Sequence, residues 1–194
     1  AKESESETRD AFFSEVLRHF VFFVMGCASL VVCISPVLAD LTLKREFRSI
    51  GYILPVLLTI GLMNCLSMFF GTFYNAFKRN SMIAVSTGVG AIVSIGCAYF
   101  MNQHWGPLGV AIGSLCGFIA IVAMRVVDTQ LRFVKLTYPA IPFATLLTLY
   151  AVEVVIGTYE NMTLMIPVCA AQIGLIVMCE RHVLSKGFQI VRNR

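Results

Sequence analysis

The stretch "MFFGTFYNAFKRNSMIAVSTGVGAIVSIG", residues 68–96, carries only two charges, Lys78 and Arg79, side by side between two long apolar runs. A chain that folds in water places polar residues along the solvent face of each helix. Confining both cations to one gap marks a short polar turn between segments surrounded by something other than water. The whole chain follows this pattern: its 194 residues are 58% hydrophobic and 13% charged, with a mean hydropathy of +0.81, away from the usual balance of a soluble domain. A bilayer core about 30 Å thick takes roughly 20 apolar residues as a helix. Six runs meet that length, at 20–38, 50–77, 82–101, 107–124, 138–157 and 162–179. The expected fold class is all-α integral membrane, with six transmembrane helices spread over residues 11–180. Residues 1–10 read as an acidic cytoplasmic connector and 181–194 as a basic cytoplasmic tail.

The first run also imitates a secretory signal, since "VLA" at 37–39 resembles a cleavage site. Against that, "AKESESETRD" is acidic where a signal is basic, and the apolar run is long. The chain opens on Ala1, so it is expected to be a piece of a longer protein.

Distributing the cations over alternate sides of six spans puts Lys2, Arg9, Arg18, Lys78, Arg79, Arg125, Arg132, Lys135, Arg181, Lys186, Arg192 and Arg194 on one side. Only Lys44, Arg45 and Arg48 fall on the other. Cytoplasmic loops hold the excess of Lys and Arg, so both termini and the Lys78 turn are expected in the cytoplasm. The net charge of +4 is thereby a topology signal, and no nucleic-acid partner is expected. Trp105, Tyr159 and Tyr52 fall near the opposite boundary, where amphipathic rings collect.

On a 3.6-residue wheel the second run aligns Asn64, Ser67, Gly71, Asn75 and Lys78, with Gly61 at the edge of the stripe. A mid-membrane amide costs several kcal/mol without a partner, so Asn64 must face protein or water. Two readings stay open: a packing seam with interhelical hydrogen bonds, or the wall of a hydrophilic cavity for a polar substrate. The run is long enough to require a tilt, a bend near Pro55 or a protruding end. Thr87, Ala91, Ser94 and Ala98 make a small-residue stripe in the third run, and Gly109, Gly113 and Gly117 make one in the fourth. Such stripes let helix backbones approach closely, and the two runs are expected to pair as a hairpin through "NQHWGP".

Glu153 is the one acidic residue inside the later spans, with Tyr150 and Gly157 on its face. An intramembrane ionisable group is a functional candidate, here for ion coupling, although a position one turn from the outer end suggests hydration. Gln172 reads as an interhelical hydrogen-bond former. Seven cysteines all lie in apolar runs with no C-x-x-C pair, which implies no metal site or disulfide framework. His19, His104 and His182 are dispersed, and no G-x-S-x-G, H-E-x-x-H or P-loop occurs. Neither an enzymatic activity nor a cofactor is expected. The sequon at Asn161 lies close to the membrane boundary.

A long helix ending "FYNAFKRNS", the small-residue helix "MIAVSTGVGAIVSIGCAYF", and a turn leading into "WGPLGVAIGSLCGFIAIVAMR" together resemble the C-terminal part of polysaccharide transporters. These are the O-antigen and exopolysaccharide flippases of the multidrug/oligosaccharidyl-lipid/polysaccharide superfamily. The likeness runs from about Tyr52 to Arg125 and includes the Gly-x-x-Gly-x-Ala pattern at Gly106, Gly109 and Ala111. It implies two helical bundles about a central cavity, this chain supplying the second and an N-terminal bundle of the same protein the first. The implied function is alternating-access flipping of lipid-linked oligosaccharide, a lipopolysaccharide or polysaccharide precursor, across the bacterial cytoplasmic membrane. Asn64, Ser67 and Asn75 would then contact sugars, and Lys78 with Arg79 the diphosphate. Two alternatives are a cation-coupled multidrug exporter of the same superfamily, or a non-transporting membrane anchor or assembly module.

Overall fold

The computed structural model describes residues 2–42, 51–76, 78–132, 140–159 and 162–192, with side chains over 10–41, 51–76, 78–132, 143–159 and 163–180. Six helices account for nearly all of it: α1 (Lys2–Thr42), α2 (Leu54–Ala76), α3 (Ser81–Trp105), α4 (Pro107–Arg132), α5 (Ala140–Thr158) and α6 (Met162–Arg192). No strand occurs among the described residues. Apolar stretches long enough to cross a membrane lie at Asp10–Leu41, Gly51–Ala76, Ser81–Trp105, Pro107–Arg132 and Thr163–Glu180. The described apolar part of α5, Phe143–Thr158, is shorter. Lys44, Arg45, Arg48, Lys135 and Asn161 lie outside the described residues, as do the side chains of Lys2, Arg9, Arg181, His182, Lys186, Arg192 and Arg194.

The ends of these helices follow from local chemistry. Pro55 is the second residue of α2, where its fixed φ suits a helix start and its missing N–H costs nothing. It therefore begins the helix and does not bend it. A short 3₁₀ turn at 51–53 takes up the start of the apolar run, which leaves α2 with 23 residues, about 35 Å at 1.5 Å per residue. At its other end the Arg79 N–H donates to Tyr74 O at 2.9 Å and the Lys78 N–H to Asn75 O at 3.2 Å. Together with φ 54° at Lys78, these bonds make a Schellman cap with lysine at the left-handed position usually held by glycine. α3 starts immediately beyond it, so the basic turn of the opening stretch is a helix stop and a helix start in five residues.

The α3–α4 connection is shorter still. Gly106 alone separates the helices, with φ 55° and ψ −134°, a conformation open only to glycine, and Pro107 follows as the first residue of α4. With so short a turn the two helices must lie antiparallel, and small residues let them touch. An added Cβ on Gly117 would lie 2.6 Å from Gly90 O, and Cβ atoms on Gly109 and Gly113 would meet the backbone of Met101 and of Ala98.

α1, α2, α5 and α6 enclose the main core, built from Leu17, Phe22 and Val32 of α1, Phe70 of α2, Leu146 of α5 and Met165 of α6. The hairpin packs on this group through α4 against α2, while α3 buries only Ser86 and Gly90. Phe20 stacks on Phe69 with centroids 4.5 Å apart, Phe13 meets Phe73, and His19 Nδ1 lies 2.6 Å from Glu180 Oε2. These contacts bring the early part of α1, the end of α2 and the late part of α6 together at one end of the bundle. At the opposite end a Cβ on Gly157 would meet Pro55 at 2.9 Å. The α1 helix is continuous from Lys2, so the segment read as a connector extends the first span, and α6 likewise takes in most of the tail.

Candidate functional site

The fourth-helix series 109, 113, 117 continues at the same spacing through Ile121 to Arg125, and all five residues are buried. A stripe that begins as glycine seated on α3 thus ends in a guanidinium, only 5% exposed, between α2, α3 and α4. Its guanidinium donates to neutral oxygens. Nη1 donates to Ser67 O at 2.6 Å and to Ser67 Oγ at 2.9 Å. Nε donates to Ser86 Oγ at 3.0 Å and Nη2 to Thr87 Oγ1 at 3.2 Å. No carboxylate pairs with Arg125 among the described residues; the neighbouring Asp128, one turn on, is held instead by Arg132 at 2.6 Å. Gly71 lies beside it on α2, where an added Cβ would stand in ordinary contact with Nη1 at 3.5 Å.

Arg125 was expected in a cytoplasmic loop, because the apolar run ends at residue 124. Its helix continues to Arg132, and the long side chain reaches into the bundle instead of out of it. The signal that could have found it is the four-residue periodicity shared with the glycines.

The proposed cavity residues do not come together. Ser67 is buried and turned to α4, where its carbonyl and hydroxyl oxygens accept hydrogen bonds from Arg125. Asn64 is half-buried, Asn75 is exposed, and Lys78 and Arg79 are exposed at the turn. Gly61 has open space around its Cβ position. The nearest large cleft, about 640 Å³ between α1, α2, α4 and α5, is lined by apolar residues alone, among them Leu17, Met63, Leu66, Phe70, Val122 and Val126.

A second buried polar group lies between α1, α5 and α6. Leu146, Tyr150, Glu153 and Gly157 form the inward stripe of α5, and Glu153 is wholly buried. This corrects the expectation of hydration: α1 and α6 cover this part of α5. Ser29 Oγ donates to Glu153 Oε2 at 2.6 Å and lies 3.4 Å from Cys169 Sγ. A ligand atom each from Cys33, Glu153 and Cys169 falls within 4.8 Å of the other two. Gln172, three residues beyond Cys169 on the same face, is fully buried with neither amide atom hydrogen-bonded, and Glu153 Oε1 has no partner either. The expected interhelical hydrogen bond of Gln172 is therefore not formed. Tyr150 OH and Thr59 Oγ1, 3.3 Å apart, close the group on the α2 side.

Comparison with family models, with curated proteins and with solved structures finds no match to this chain. Fold and composition define its class: a multi-pass, all-α membrane protein that buries polar groups around Arg125 and around Glu153 among the described residues.

Proposed function

We propose that this chain is the C-terminal bundle of a flippase for lipid-linked oligosaccharide in the bacterial cytoplasmic membrane, with both termini cytoplasmic. The observation that carries the reading is Arg125, a buried cation solvated by hydroxyls and a carbonyl and by no anion among the described residues. A guanidinium in low dielectric binds phosphate strongly and by more than one oxygen. It lies at the end of the bundle that carries Lys78 and Arg79, so a diphosphate drawn to the exposed pair would meet Arg125 as it moved inward. The apolar cleft beside α4 suits a lipid tail. An N-terminal bundle of the same protein would supply the other half of the path, and alternating access would carry the glycan across.

The test is glycan export by the full-length protein. Arg125→Gln is expected to lower export at least tenfold and to leave lipid-linked oligosaccharide in the inner leaflet. Arg125→Lys, which keeps the charge without the fork, should restore part of it. Export at the normal rate by a stably inserted Arg125→Gln protein overturns the reading.

A cation-coupled exporter is the second reading, favoured by the burial of Glu153 inside the bundle. Drug-driven cation efflux from reconstituted vesicles, abolished by Glu153→Gln, would replace the flippase with the exporter.

A further inference from the structure

We propose that Cys33, Cys169 and Glu153 form a binding site for a thiophilic divalent cation such as Zn²⁺, inside the membrane and between α1, α5 and α6. The donor set is two sulfurs and a carboxylate, one from each of three helices, with ligand atoms no more than 4.8 Å apart. In a tetrahedral site with Zn–S near 2.3 Å and Zn–O near 2.0 Å, neighbouring ligand atoms stand roughly 3.5 to 3.8 Å apart. Small side-chain rotations therefore suffice to close the site.

Two independent observations point to a ligand at this place. Glu153 Oε1 is fully buried without a partner, although Oε2 of the same carboxyl is bonded to Ser29. Gln172, one turn from Cys169 on the inward face of α6, has both amide atoms unbonded in the same interior. Native interiors seldom leave such groups unpaired, since each costs about 1–3 kcal/mol. A bound cation accepts the lone pairs of Glu153 Oε1. Ser29, which touches both the carboxylate and Cys169, orients the ligands from outside the site as second-layer partners of metal ligands commonly do.

Charge selects the class of cation. Each thiol gives up its proton when it binds metal, so M²⁺ and its two thiolates are neutral together and the ionised Glu153 carboxylate brings the occupied site to a net charge of −1; a Glu153 that starts protonated releases its proton as a third. Sulfur donors favour Zn²⁺ and its thiophilic relatives over Mg²⁺ or Ca²⁺, which take oxygen ligands. The inference does not rest on the transport reading and survives its failure.

The experiment uses the full chain in detergent, shown to be helical, with Cys97→Ser and Cys116→Ser removing the other neighbouring thiol pair, on the α3–α4 hairpin. Co²⁺ is titrated as an optical probe and Zn²⁺ as its competitor. One equivalent of Co²⁺ is expected to give the thiolate-to-cobalt absorption of a two-thiolate site, and Zn²⁺ is expected to displace it. Cys33→Ser or Cys169→Ser should remove at least half of the band, and Glu153→Gln should weaken Co²⁺ binding at least tenfold. A folded protein without a stoichiometric band, or a band unchanged in the Cys33→Ser and Cys169→Ser double variant, overturns the proposal. Should the serine variants fail to fold, the band intensity of the parent protein decides: intensity for two thiolates supports the site, and that for one or none overturns it.

Discussion

Arg125 shows how a membrane interior changes the meaning of one residue. In a loop it would be one more hydrated cation; between Ser67, Ser86 and Thr87 it is a charge whose hydration has been replaced by four hydrogen bonds. Neutral oxygens satisfy its donors without cancelling its charge, which leaves the potential that an anion would meet. Gly106 is the second position where a single residue decides structure. At φ 55° and ψ −134° a side chain is strained by about 1–3 kcal/mol. Gly106→Ala is expected to lower the thermal unfolding midpoint in detergent, although open space surrounds the Cβ position. An unchanged midpoint would show that the turn relaxes to another conformation at no cost.

At the scale of elements, the α3–α4 hairpin is held by proximity more than by apolar side chains. Lipid tails are as apolar as leucine, so helices in a bilayer gain from close packing and little from burial. The glycines of α4 provide that closeness. Gly117→Ala places a methyl 2.6 Å from both Gly90 O and Ser94 Cβ, and forcing the helices apart should cost about 1–3 kcal/mol. Gly88→Ala, on the same hairpin with nothing within 4 Å, is the matched control and should leave the unfolding midpoint unchanged or raised. Equal effects of the two substitutions would remove the packing account. The small-residue spacing of α4 was legible in the sequence because a helix repeats every 3.6 residues, whereas α3 turns Ser86, Gly90, Ser94 and Ala98 inward and leaves Thr87 and Ala91 of the expected stripe exposed. Which α3 residue meets which glycine was not legible, since register depends on the Gly106 turn.

For the molecule as a whole, Arg18, Lys78, Arg79, Arg125 and Arg132, the described lysines and arginines, gather toward the end where α1 enters and α2 meets α3. Cytoplasmic placement of that end, as the excess of cations predicts, has a direct check. In a cysteine-free background Ser81→Cys should react with a membrane-impermeant thiol reagent only from inside the cell, and Gln103→Cys only from outside. The reverse pattern would invert the topology and remove Arg125 from any inward-facing mouth.

The sequence by itself determined the helical membrane class, the turns at Lys78 and Gly106 and the glycine face of α4, while α1, α4 and α6 run beyond the apolar limits read from it. The legible features are set by short-range rules: hydrocarbon thickness, helical period, and the backbone freedom of glycine and proline. Only the tertiary structure decided that Arg125 turns inward to Ser67, and that Cys33, Glu153 and Cys169 converge. Those groups come from helices separated by as much as 136 positions between Cys33 and Cys169, and residues so far apart in the chain meet only because packing brings their helices side by side. Spacing along one helix carries no record of its neighbours.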